Sequence, residues 1–64
     1  MKVWKIKEMI KLLEDDGWYL YIHKGTSHRQ FKHPIKKGKV TVPGNLNDDL
    51  APKTAKSIIV QAGL

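Results

Sequence analysis

Apolar residues recur along this chain with two different periods, and each change of period marks the edge of an element. Ile6, Met9, Ile10 and Leu13 fall at helical spacing, with Leu12 widening the stripe. Lys5, Lys7, Glu8, Lys11 and Glu14 occupy the remaining positions, so the pattern predicts an amphipathic helix over about Lys5 to Asp16. Gly17 ends it, because glycine takes the left-handed cap conformation without a steric penalty. Trp18 to Lys24 then switches to a period of two in aromatic and β-branched residues, which predicts a strand. Trp18, Leu20 and Ile22 are expected inside, with Tyr19, Tyr21 and His23 outside. Gly25-Thr26 matches a two-residue hairpin turn, and Ser27 to His33 forms the returning strand. In that register Leu20 faces Phe31 on the core side, while Tyr21 faces Gln30 and His23 faces His28 on the outer side.

The second half is shorter-ranged. Pro34 to Gly38 forms a basic turn, and Lys39 to Val42 a third strand with Val40 and Val42 inward, ended by Pro43-Gly44. Asn45 to Ala51 reads as a polar loop anchored by Leu46 and Leu50. Pro52 suits the first position of a helix, and Ala55, Ile58, Ile59 and Ala62 supply its apolar stripe before the Gly63-Leu64 stop. The expected fold is α+β in the order α-β-β-β-α. One apolar face per sheet and one stripe per helix place both helices on the same side of a three-stranded antiparallel sheet. The other sheet face stays open, and by alternation it carries Tyr19, Tyr21, His23, His28, Gln30, Lys32, Lys39 and Thr41.

Charge changes what that open face means. The chain has 64 residues and a formal net charge of +6, which suits a single small domain, 1–64. Between Gly17 and Asn47 lie Lys24, Arg29, Lys32, Lys36, Lys37 and Lys39 with no acid at all. The flanks balance to zero, so the whole excess sits on the hairpin region. A polyanion is the natural partner, and tyrosines among the cations suit unstacked bases as well as phosphates. There is no cysteine, hence no disulfide framework or thiolate metal site. No apolar run approaches a membrane span, and the start of the chain lacks the apolar block of a signal peptide, so a cytoplasmic location is expected. The acidic Glu14-Asp15-Asp16 at the end of the first helix opposes the helix dipole, with a tolerated surface cluster or a partner contact as its two explanations.

Three histidines lie in the basic stretch. His28 is the candidate for chemistry: imidazole titrates near neutrality, and a base that takes the 2′-hydroxyl proton of RNA lets that oxygen attack the adjacent phosphorus without a metal. Nearby lysine or arginine would stabilise the charge on the phosphoryl oxygens. His23 is either a second proton carrier or a turn-flanking residue. His33 falls on the core side beside Pro34 and reads as structural. Histidines five apart with no carboxylate between them disfavour zinc or calcium. Ser27 and His28 are neighbours on a strand and point to opposite faces, which disfavours a histidine-activated serine.

The ordered set of short motifs resembles the HicA toxins. It comprises Ile10-Lys11-Leu12-Leu13-Glu14 with Asp16-Gly17-Trp18, then Ser27-His28-Arg29-Gln30-Phe31-Lys32-His33-Pro34. Val40-Thr41-Val42-Pro43, Asp49-Leu50-Ala51-Pro52-Lys53-Thr54 and Gln61-Ala62-Gly63-Leu64 complete it. The resemblance implies a fold like that of double-stranded-RNA-binding domains. It also implies a metal-independent endoribonuclease that cleaves messenger RNA and arrests translation. The histidine of the family's Ser-His motif corresponds to His28, and a HicB-like antitoxin is the implied protein partner. Ser27, Arg29, Gln30, Lys32, Lys37 and Lys39 are the candidate RNA contacts; no metal, cofactor, membrane or DNA contact by this chain alone is expected. One position departs from the family pattern: Thr26, where glycine usually precedes Ser-His. Two other functions fit the same face, a non-catalytic RNA-binding module and an adaptor for an acidic protein.

Overall fold

A computed structural model describes residues 3–24 and 28–64. The chain runs β1 (Trp4–Lys5), α1 (Ile6–Asp15), β2 (Tyr19–Lys24), β3 (His28–Lys32), β4 (Val40–Pro43), β5 (Asp49–Leu50) and α2 (Pro52–Gln61). β2, β3 and β4 form one antiparallel sheet in that order, with β3 central. Its core-side residues Phe31, Val40 and Val42 are buried together with Ile6, Met9 and Leu13 of α1 and Ala55 and Ile58 of α2. Both helices therefore cover one face of the sheet. The α+β architecture, similar to that of double-stranded-RNA-binding domains, agrees with the sequence pattern.

Each helix ends as its glycine predicts. After α1, Gly17 adopts a φ of 103°, its N–H bonds to the Glu14 carbonyl, and the Trp18 N–H reaches back to Leu13. After α2, Gly63 and Leu64 repeat the pattern onto Val60 and Ile59. These paired bonds satisfy carbonyls that a helix end otherwise leaves orphaned.

Three features depart from the sequence reading. β1 pairs antiparallel with β5, Trp4 opposite Leu50 and Lys5 opposite Asp49, in place of the expected loop. The adjoining segment supplies the Asp48 and Leu46 carbonyls to the N–H groups of Ile6 and Lys7, and the Glu8 carboxylate accepts the Lys5 N–H at 2.9 Å, so backbone and side chain together cap the start of α1. Leu46 thus serves through its carbonyl and its side chain stays exposed, whereas Leu50 is buried as expected.

The second departure is in β2. Tyr19 opposes Lys32 and Leu20 opposes Phe31, but the next pairs are Ile22 with Gln30, His23 with Arg29 and Lys24 with His28. Tyr21 is the extra residue of a β-bulge, and every position after it changes face. Ile22 is consequently opposite Gln30 on the open side rather than in the core, and the His23–His28 and Tyr21–Gln30 pairs do not form. The predicted Gly25-Thr26 turn, like Ser27, lies outside the described residues. Third, Leu20 keeps its core-side position yet is 49% exposed. β2 is an edge strand and the helices pack toward β4, so its inner surface at Leu20 is only partly covered among the described residues.

Candidate nucleic-acid interface

Alternation along β3 turns His28, Gln30 and Lys32 away from Phe31 and onto the uncovered face. β4 adds Pro43 opposite His28 and Thr41 opposite Gln30, while β2 adds Ile22 and Tyr19. His28 is exposed at the hairpin end of this face. Gln30 and Lys32 are half-buried behind it along the strand.

Lys32 stands four positions from His28, about 13 Å along a strand. Its ammonium sits 4.0 Å from the centroid of the Tyr21 ring, and that of Lys39 lies 5.8 Å from the same ring. Cations near an aromatic face are attracted by its quadrupole. Lys37 is exposed in the turn between β3 and β4, nearer to this end than to His28 in sequence. The interface therefore has an imidazole at one end and a tyrosine with two ammonium groups at the other. The sequence pattern places Tyr21 on the open face but does not make it a partner of these lysines. The bulge that distinguishes it has no signal in the alternating pattern.

Two predicted site residues lie elsewhere. Arg29 has the parity of Phe31, opposite Val42, and its guanidinium donates to the Gly44 carbonyl at 2.9 Å. It ties the end of β4 rather than facing the open side. His23 opposes Arg29, so the bulge removes it from the row of His28. The two imidazoles that simple alternation puts side by side are on different faces, because one extra residue inverts all that follow it. Ser27 lies outside the described residues.

His33 is structural, as its parity indicates. Its Nε2 is 2.7 Å from the Asp16 carbonyl, and its Nδ1 accepts the N–H groups of Ile35 and Lys36, each at 3.0 Å. Two donors onto Nδ1 fix the proton on Nε2, which donates to Asp16. The ring also meets Trp18 edge-on, with centroids 5.2 Å apart. A Cβ on Gly17 would sit 2.8 Å from Nε2, so this glycine is needed for close approach as well as for its φ.

Lys36 completes the same junction. Its ammonium binds the Asp16 carboxylate at 2.5 Å and the Ala62 carbonyl at 2.9 Å, joining the ends of both helices to the turn after β3. That hydrogen bond, with the ammonium's charge, holds the Asp16 carboxyl below its usual value against the opposing effect of desolvation. The Trp18 indole N–H also favours the Asp16 charge, though it does not reach hydrogen-bond geometry and is buried without a partner among the described residues. The acid that opposes the α1 dipole has its structural reason here, in Lys36.

Among the described residues, no three histidine, aspartate or glutamate side chains gather as a metal site would require, and no helix is long and apolar enough to cross a membrane. Comparison with curated proteins returns no match. The family model for the HicA toxin of bacterial toxin–antitoxin systems matches residues 6–64.

Proposed function

The chain belongs to the HicA toxin family and is the toxin of a toxin–antitoxin system, and from that premise we propose that it is a metal-independent endoribonuclease that cuts messenger RNA through His28. The observation that carries this proposal is the position of His28, exposed at the end of an open sheet face whose strands contain cations and no acid. RNA brings its own nucleophile. His28 accepts the proton of a 2′-hydroxyl as that oxygen forms a bond to the adjacent phosphorus. The bond from phosphorus to the 5′-oxygen of the next nucleotide breaks, that oxygen takes a proton from water as it leaves, and the hydroxide so formed recovers the proton held by His28. The products are a 2′,3′-cyclic phosphate and a free 5′-hydroxyl, and no metal or cofactor enters the balance. Gln30, two positions along the same face, is placed to orient the strand, with Ser27 assigned the same role from its motif. Cutting messages in the cytoplasm arrests translation, and a HicB-like antitoxin covers the open face to silence it.

The displaced His23 favours a second reading, because no other imidazole shares the face of His28. In that case the domain holds RNA without cutting it. Induced expression of the wild type and of His28→Ala, with total RNA examined from each culture, separates the two. Endonuclease activity predicts growth arrest and fragments ending in 2′,3′-cyclic phosphate with the wild type only. Equal fragmentation by the variant rules out His28, and RNA that binds yet stays intact with the wild type supports the binding module.

A further inference from the structure

We propose that Tyr21, Lys32 and Lys39 form a second RNA subsite, which holds a backbone phosphate of a flanking nucleotide while His28 acts on another; this rests on RNA cleavage at the open face. Three observations converge on it. Phe31 and Val40 are the last pair of the β3–β4 ladder, and one position beyond them come Lys32, which ends β3, and Lys39, which directly precedes β4. Two ammonium groups near one ring repel each other, and no carboxylate of the described residues forms an ion pair with either. Both ammonium groups lie near one ring, at 4.0 and 5.8 Å from its centroid. An aromatic face tempers the repulsion without neutralising it, so two positive charges remain for an anion. The bulge supplies the ring, since Tyr21 is the residue that the β2–β3 ladder leaves unpaired.

Distance decides which phosphate is held. Lys32 stands four positions from His28 along β3, about 13 Å between backbones, and its ammonium is engaged over the Tyr21 ring at 4.0 Å, so the phosphate it holds is assigned to a flanking nucleotide. The lysines therefore bind substrate equally in the ground and transition states and affect KM rather than kcat. Tyr21 is a positioning residue, acting through the two ammonium groups it holds. The occupant is a single-stranded RNA that continues past the cleaved bond on the side facing the Lys32 end of the sheet.

Binding of a labelled single-stranded RNA to the His28→Ala chain, measured over a range of salt, tests this without any cleavage. Lys32→Met and Lys39→Met are each expected to lower the slope of log affinity against log salt by about 0.7. Tyr21→Leu is expected to weaken binding about 2- to 5-fold, the effect of losing an exposed cation–π contact, while Tyr21→Phe restores it because the ring remains. With His28 intact, the same Tyr21→Leu change raises KM and leaves kcat in place. Trimming the RNA from one flank should abolish the difference in affinity between chains with and without the Tyr21→Leu change. Unchanged affinity and salt slope in all three variants would overturn the subsite while leaving cleavage by His28 intact, and would assign this corner to a protein partner instead. Intact RNA with the wild type, despite lysine-dependent binding, would sink the nuclease activity and leave the phosphate site standing.

Discussion

His33 and His28 are both histidines of the basic stretch, and loss of either should reduce toxicity, but for different physical reasons that a thermal melt can tell apart. His33→Ala removes the donor to the Asp16 carbonyl and the acceptor for the Ile35 and Lys36 N–H groups. A hydrogen bond is worth about 1 kcal/mol net. The bond from Ile35 is at an exposed position where water can replace it, so roughly 2 kcal/mol is lost from the three. The edge contact with Trp18 adds about 0.5–1 kcal/mol. A chain of this length has only about 3–10 kcal/mol of stability in total. A loss of about 2–3 kcal/mol corresponds to a fall in Tm on the order of 10–20 °C. His28→Ala, at an exposed position, should leave Tm within a few degrees of the wild type and still remove cleavage. The measurement is a thermal melt of each purified variant beside an RNA cleavage assay run well below the lower Tm. There, folded His33→Ala should cut RNA at close to the wild-type rate. A His33→Ala chain that melts with the wild type yet cannot cut would refute the structural role and make His33 a catalytic candidate.

Two further outcomes follow from the same junctions. Ionised Asp16 stabilises the fold above its ordinary value of 3.8, and that contribution is lost as pH falls through the depressed value of the folded state. Asp16→Asn should therefore lower Tm at pH 7 and flatten the acid limb below about pH 4; wild-type and variant profiles that run parallel down to about pH 2 would exclude the link to Lys36. Arg29→Met should cost about 1 kcal/mol of stability through the lost bond to the half-buried Gly44 carbonyl. It should leave the salt slope of RNA binding unchanged, in contrast to Lys32→Met, and a reduced slope would return Arg29 to the RNA surface.

The helices, the three main strands and the core were legible because each rests on a local period. Ile6, Met9 and Leu13 can share a face only in a helix, and Phe31, Val40 and Val42 can meet them only from one side of a sheet. Both glycine-terminated helix ends were legible for the same kind of reason, a local conformation that few residues adopt. His33 was separable from His28 by parity and by its neighbour Pro34. What stayed hidden depends on partners distant in sequence. Trp4–Lys5 is too short to show a period, and becomes a strand only because Asp49–Leu50 lies beside it. The bulge is likewise invisible in Tyr19-Leu20-Tyr21-Ile22, whose alternation is too weak to reveal one residue too many. That single residue moved His23, Ile22 and the partner of His28 to new places, so the position of His28 on the open face was readable and the residues beside it were not.

The chain contains two arrangements of charge that work against its own secondary structure, and they are resolved differently. Asp16 opposes the dipole of α1, but Lys36 answers it from within the fold and, in doing so, fastens both helix ends to the turn after β3. Lys32 and Lys39 repel each other just beyond the last pair of β3 and β4, and among the described residues the fold answers them with the ring of Tyr21 and no carboxylate. An internal counter-ion makes the first arrangement part of the scaffold. The second has none among the described residues, on a surface that carries His28, and a conflict left open at that place is what a site awaiting an anion requires. Stability and RNA affinity should therefore respond oppositely to a charge change there: Lys39→Glu, which pairs Lys32 across the strands, should raise Tm and weaken RNA binding together.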